Sequence, residues 1–223
     1  MGLVGLQDPA HGGLDVDLET RERVSSVYAD AVQASQPEGP YDLLGWSLGG
    51  RIAFSVGQEL VARGEQVSSL TIVDTFSRWW AARSGPADQV RRDRPSHRDQ
   101  DAQARVIEQS RDRWRDLLGL DDDDRGADEV MTAMAISTLR GAGVMATPTA
   151  GELGVDALLV ATGEFLDSER DSGEGTGDLL WGPHLRSCEV VRVDGVDHYS
   201  IMDRDRGVPQ WGKRLSAYLT RPR

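Results

Sequence analysis

A serine with glycine two residues away on each side, Gly45-Trp46-Ser47-Leu48-Gly49, is a spacing that suits nucleophilic catalysis. Alone the pattern is weak, arising by chance about 0.2 times in a chain with this glycine and serine content. Its surroundings strengthen it. An apolar run, Tyr41 to Leu44, precedes it as a strand would, and a helical pattern from Leu48 to Arg63 follows. A strand reversing sharply into a helix holds its serine in a strained conformation, and side chains at positions 45 and 49 are expected to collide with the neighbouring strand and helix. Ser47 then projects from the turn, while the Leu48 N–H at the helix N-terminus faces a developing oxyanion. The structural alternative is a glycine-rich turn with a capping serine.

A serine hydroxyl is a poor nucleophile at neutral pH, so a base and an orienting acid must come from elsewhere. The order Ser, Asp, His is expected for a strand–turn–helix nucleophile. Asp74 ends the strand that follows the nucleophile helix, at the sheet edge where Ser47 also lies. Glu164 and Asp167, after a later strand, are its rivals. Among the four histidines, His198 follows the last strand and precedes the last helix, which brings it to the same edge. His11 precedes the nucleophile, His97 lies in a polar stretch, and His184 sits at the wrong end of its strand.

The elements that must position these groups alternate. Leu3 to Leu6 is a short apolar run, expected to be a strand, and Val24, Val27, Tyr28, Ala31 and Val32 fall on one helical face that Asp17 could cap. Gly64 suits the end of the nucleophile helix, and Val67 to Val73 is a further strand. Residues 78 to 152 are mostly charged and helical, with no convincing strand, and read as an inserted subdomain. Strands resume at Val155 to Ala161 and Glu189 to Val193, with a Gly, Asp and Glu-rich loop between them. An amphipathic helix from Val208 to Leu219 closes the chain, with Pro209 tolerable in its first turn. Strand–helix alternation of this kind means an α/β fold with a parallel sheet.

Pro37-x-Gly39-Pro40-Tyr41-x-Leu43-Leu44-Gly45-Trp46-Ser47-x-Gly49-Gly50, followed by Leu70-x-Ile72-x-Asp74, resembles the terminal thioesterase domains of nonribosomal peptide synthetases and polyketide synthases. Trp46 and Gly50 lean toward the peptide-synthetase branch, and Val160-x-x-Gly163-Glu164 with the His198 loop continues the similarity. The resemblance implies a single α/β-hydrolase domain over residues 1–223, with 78–152 as its helical lid. It favours Asp74 over Glu164, giving Ser47, His198 and Asp74 as nucleophile, base and acid. The substrate would be an acyl or peptidyl thioester on the phosphopantetheine of an upstream carrier protein, released by hydrolysis or macrocyclisation, with no cofactor bound directly. A small-ester esterase or lipase, and a truncated fragment that only binds a carrier protein, are the alternatives.

Such hydrolases draw a second oxyanion donor from a loop after an earlier strand. Only 46 residues precede Ser47, and a further strand and crossover would need ~30 beyond those already placed. One or more N-terminal strands are therefore expected to be missing, and the edge strand Leu3 to Leu6 to invite self-association or else to leave the chain less stable than a version extended upstream.

Composition excludes other classes. With 37 acidic against 25 basic residues the net charge is -12, which repels nucleic acid. No run reaches the ~18 apolar residues of a membrane helix and no secretory leader is visible, so a cytoplasmic location is expected. Cys188 is alone, which precludes an internal disulfide, and no zinc-ligand spacing occurs. Eight arginines between 91 and 115, interleaved with acids, suit a solvated helical face or the docking of an acidic carrier. Trp79, Trp80, Trp114, Leu117, Leu118, Met131, Met134 and Leu139 could line an acyl channel or simply bury the insertion.

Overall fold

Parallel strands cannot be joined by tight turns, so each pair needs a crossover, and the amphipathic stretches supply them. The computed structural model describes residues 2–8, 20–77, 98–119, 126–146, 149–173 and 175–221. Strands β1 (Tyr41–Trp46), β2 (Val67–Val73), β3 (Leu153–Thr162) and β4 (Leu185–Val193) form one sheet in the order β1-β2-β3-β4, every pairing parallel. Helix α1 (Arg21–Ser35) precedes β1, and α2 (Leu48–Ala62) joins β1 to β2. Between β2 and β3 run α3 (Gln100–Leu118) and α4 (Ala127–Ala146), with no strand among the described residues there. Helix α5 (Gly163–Asp171) joins β3 to β4, and α6 (Val208–Leu219) ends the fold.

Alternation along β3 divides the core. Ala157, Leu159 and Ala161 pack with Phe54, Leu60 and Ile72 on one face of the sheet. Leu158 and Val160 pack with Val73, Val193, Ile201 and Trp211 on the other. All five β3 residues are buried, and each large aliphatic among them contributes ~1.5–3 kcal/mol. A strand covered on both faces accounts for its continuous apolar reading.

Local chemistry sets the helix ends. The Thr20 hydroxyl, 3.1 Å from the Arg23 N–H, caps α1; Asp17 lies outside the described residues. Gly64 and Gly119 close α2 and α3 in left-handed conformations, φ +88° and +62°. Asp99 caps α3 by accepting from the N–H groups of Asp101 and Ala102.

Two expectations fail. Leu3 to Leu6 is not a strand: no described strand ladders with it, and Leu3 and Val4 are 89% and 66% exposed. An apolar run becomes a strand only beside a partner, and within the single chain no described strand pairs with this one. Residues 163–171, expected within a loop, form α5. Its apolar residues are few, and its start rests on the Thr162 hydroxyl accepting from the Phe165 N–H at 3.3 Å.

The helix pair α3–α4 carries its own small core. Trp114, Met131 and Ala135 are buried among Val106, Ile107 and Met134, so these side chains hold the two helices together. Trp79, Trp80 and the side chains of Leu117 and Leu118 lie outside the described residues. Helix α4 approaches α2 closely at Gly141, where a Cβ would stand 2.2 Å from Cδ2 of Leu48.

Candidate active site

At the β1–α2 junction the chain reverses within one residue. Ser47 adopts φ 55° and ψ -129°, a conformation costing a side-chain-bearing residue about 1–3 kcal/mol. Its N–H donates to the Val73 carbonyl at 3.0 Å, and its carbonyl accepts from Gly50 N–H at 3.0 Å and from the Thr75 hydroxyl at 2.7 Å. Tying both peptide groups of Ser47 to β2 and α2 keeps the strained turn in place.

The glycine requirement is distributed differently from the expectation. A Cβ on Gly45 would lie 2.0 Å from the Gly49 carbonyl oxygen, as anticipated for position 45. Around Gly49 there is nothing within 4 Å, so that position is open. Gly50 is the second crowded site, its would-be Cβ falling 2.8 Å from the Thr75 hydroxyl oxygen. The first turn of α2 faces β2 through Gly50, not through Gly49.

Three side chains from three chain segments converge. His198 Nε2 lies 2.9 Å from Ser47 Oγ, and its Nδ1 lies 2.8 Å from Asp74 Oδ2. A carboxylate only accepts, so Nδ1 carries the proton and Nε2 is left to accept from the serine hydroxyl. Asp74 is fully buried, with φ 52°. Its Oδ1 accepts from the Thr162 N–H at 2.7 Å and the Thr162 hydroxyl at 2.9 Å, so a carboxylate removed from water has three hydrogen bonds.

The His198 ring sits among aromatic side chains. Phe165 stacks on it at 5.3 Å and 15°, Trp46 lies 5.3 Å away, and Tyr199 meets it edge-on at 5.2 Å. The Trp46 indole N–H donates to the His198 carbonyl at 3.0 Å. Asp197, the preceding residue, accepts from the N–H groups of Tyr199 and Ser200 and from the Ser200 hydroxyl. These donors hold its carboxyl below the usual aspartate range, the Ser200 N–H contributing most.

The rivals lie elsewhere. Glu164 is exposed in the first turn of α5, and Asp167 pairs in bidentate fashion with Arg192 at 2.9 Å. His184, before β4, contacts the Gly151 carbonyl through Nδ1 at 2.9 Å; His11 and His97 fall outside the described residues. Leu48 is the first residue of α2, so its N–H belongs to the set that an α-helix leaves without an intrahelical acceptor. Among the described residues no cluster of His, Cys, Asp and Glu could hold a metal ion, and no helix is long and apolar enough to cross a membrane.

Thr162, Thr75 and Phe165 were not legible as site residues. Nothing in their types or spacing separates them from ordinary strand-ending or core residues.

The chain is similar to known proteins in sequence and in fold. The thioesterase domain family model matches residues 2–158. A non-reducing polyketide synthase of Pseudevernia furfuracea is 38% identical over 71 residues, 32% of this chain and 3% of that protein. N-(5-amino-5-carboxypentanoyl)-L-cysteinyl-D-valine synthase of Penicillium rubens is 42% identical over 59 residues, 26% of this chain and 2% of that protein. The chain thus spans a few per cent of the length of these relatives. In fold, it is similar to the NocB thioesterase domain in covalent complex with a fluorophosphonate nocardicin G analogue, with TM-score 0.63 and 24% identity over 97% of this chain and 82% of that one.

Proposed function

Because the chain belongs to the thioesterase domain family, we propose that it releases an acyl or peptidyl chain from the phosphopantetheine thioester of an upstream carrier protein, in nonribosomal peptide or polyketide assembly. The observation that carries this reading is the continuous contact from Ser47 Oγ through His198 to a buried Asp74. As Ser47 Oγ attacks the thioester carbonyl, its proton passes to His198 Nε2. The tetrahedral oxyanion is met by the Leu48 N–H at the start of α2. Collapse breaks the C–S bond, and the departing thiolate takes the proton from His198, leaving an ester on Ser47. Water, activated by the same imidazole, yields a free acid; a hydroxyl or amine of the bound chain yields a macrocycle. Asp74 stays ionised throughout and stabilises the imidazolium.

In this reading α3 and α4 form the lid over the site, within one domain. The exposed Arg98, Arg105 and Arg111 of that region would meet an acidic carrier protein and the phosphate of its prosthetic arm. No cofactor is required, because bond cleavage needs only the serine, the imidazole and the carboxylate.

The test is fluorophosphonate labelling of intact protein, located by peptide mass spectrometry, alongside turnover of acyl-phosphopantetheine on a carrier protein and of a simple acyl oxyester. Labelling at Ser47 with preference for the carrier thioester is expected. No labelling would leave a carrier-binding protein, and preference for the oxyester would make it an esterase.

A further inference from the structure

We propose that the inner side of α5 positions all three members of the triad, with Thr162 and Phe165 as the positioning residues that act directly; the inference rests on the triad reading above. At the N-cap of the helix, Thr162 gives both its N–H and its hydroxyl to Asp74 Oδ1, leaving Oδ2 toward His198. That hydroxyl also accepts from the Phe165 N–H. One oxygen therefore both starts the helix and fixes the rotation of the acid.

Three residues on, Phe165 stacks on the His198 ring at 15° and contacts Phe76, the second residue after Asp74. The imidazole is thereby held in the plane that directs Nδ1 at one partner and Nε2 at the other. A further turn along, Glu169 is 2% exposed and accepts from the N–H groups of Thr176, Leu179 and Leu180 at 3.1–3.2 Å. Leu179 and Leu180 have positive φ, 51° and 66°, so the loop rests on this carboxyl. Trp181, next in that loop, donates its indole N–H to the Thr75 carbonyl at 2.6 Å, and the Thr75 hydroxyl donates to the Ser47 carbonyl. Residues 162, 165 and 169 thus reach the acid and the base by contact and the nucleophile by relay.

A helix used in this way explains why the triad survives at the meeting of three separate chain segments. Each segment enters from a different strand end and has its own freedom, whereas Thr162 and Phe165 share one rigid turn. Among the described residues, the titratable groups in contact with the His198 ring are Asp74 from the end of β2, Ser47 from the elbow and Tyr199 from its own loop. Changes at Thr162 and Phe165 leave all three of these groups in place.

The test combines fluorophosphonate labelling rates across pH with an NMR titration of the His198 ring, on the full chain. Thr162→Val removes one donor from Asp74 and concentrates charge on the carboxylate. It is expected to slow labelling about ten- to a hundredfold and to move the His198 titration to higher pH. Thr162→Ser should restore both. Phe165→Leu removes an aromatic face that favours the imidazolium, so it should move the titration the opposite way, to lower pH. Unmoved titrations in both variants, or a Thr162→Ser protein as slow as Thr162→Val, would overturn the proposal. A wild-type chain that does not label would count against the triad reading instead, while the two opposed NMR shifts still decide the positioning role. Should Thr162→Val fail to fold, Phe165→Leu decides alone, and an unmoved His198 titration in that variant would overturn the proposal.

Discussion

The Trp46 indole N–H donates to the His198 carbonyl at 3.0 Å, so the residue before Ser47 holds the loop that carries His198. Two groups 152 positions apart in the chain are thereby set in register by one hydrogen bond. Replacing Trp46 by Phe keeps a ring beside the imidazole and removes only the donor. Fluorophosphonate labelling of Trp46→Phe is expected to slow by about tenfold with the melting temperature nearly unchanged. A rate equal to wild type would show that the loop is fixed by Asp197 and Ser200 alone.

Ser47→Ala is expected to abolish labelling and thioester turnover while the circular dichroism spectrum stays native. Ser47→Gly should be equally inactive yet more stable, because glycine adopts φ 55° without the cost a Cβ carries. A gain of about 1 kcal/mol corresponds to ~2–4 °C in a thermal melt for a domain of this size. A melt lower than that of Ser47→Ala would contradict the strain reading of the elbow.

Asp74→Asn should lower turnover by ~10⁴, since an amide can present its NH₂ to His198 Nδ1 and stabilise the wrong tautomer. Glu164→Gln, at an exposed position on α5, should leave turnover within about twofold of wild type. Steady-state kinetics on a carrier-bound thioester compares the two, and the reverse ranking would remove Asp74 from the acid's role.

The three elbow glycines should separate cleanly. Gly45→Ala drives a Cβ to 2.0 Å from a backbone oxygen and is expected to cost about 3 kcal/mol or more. Gly50→Ala presses on the Thr75 hydroxyl at 2.8 Å, costs about 1–2 kcal/mol and weakens the Thr75 bond to Ser47. Gly49→Ala meets open space within a helix and should be neutral or slightly stabilising. Urea denaturation midpoints of the three variants measure this order.

Burial pushes the Cys188 thiol up to about 12, the nearby Asp178, Glu169 and Glu189 adding to the effect. The folded thiol therefore stays protonated at pH 8, and its alkylation by iodoacetamide should be slow relative to the unfolded chain. Stability from this group is fully present below the unfolded thiol's pKa, near 9, and is lost as pH rises from there toward about 12. Cys188→Ala should accordingly flatten the decline in melting temperature over that alkaline range. An unchanged slope would assign the decline to other groups, such as Tyr28, whose hydroxyl burial also raises to about 12.

Much of the site was legible because parallel strands end at a common edge. Ser47 after β1, Asp74 after β2 and His198 after β4 could be aligned from their places in the pattern alone. What was illegible depends on packing. A threonine ending a strand is unremarkable in sequence, and only the β2–β3 register puts Thr162 against Asp74. Helix α5 was hidden because Phe165 and Leu166 stand among charges, and its other inward residue, Glu169, is itself a charge. Which elbow glycine faces the sheet is decided by the pitch of α2, and the spacing 45 and 49 points to the wrong one of the pair at 49 and 50. The run Leu3 to Leu6 was readable as apolar, but hydrophobicity without a neighbouring ladder does not make a strand.

The contact between Gly141 and Leu48 sets a rule for anyone exchanging the segment between β2 and β3 to change substrate range. A side chain placed where α4 crosses the start of α2 meets the terminal methyl of Leu48, so a grafted helix pair lacking glycine there must turn that side chain beside Ser47. Libraries that vary this segment while holding position 141 fixed should keep labelling at Ser47. Those that place bulky side chains there should lose reactivity, whereas alanine, which only requires the Leu48 methyl to turn, should keep most of it.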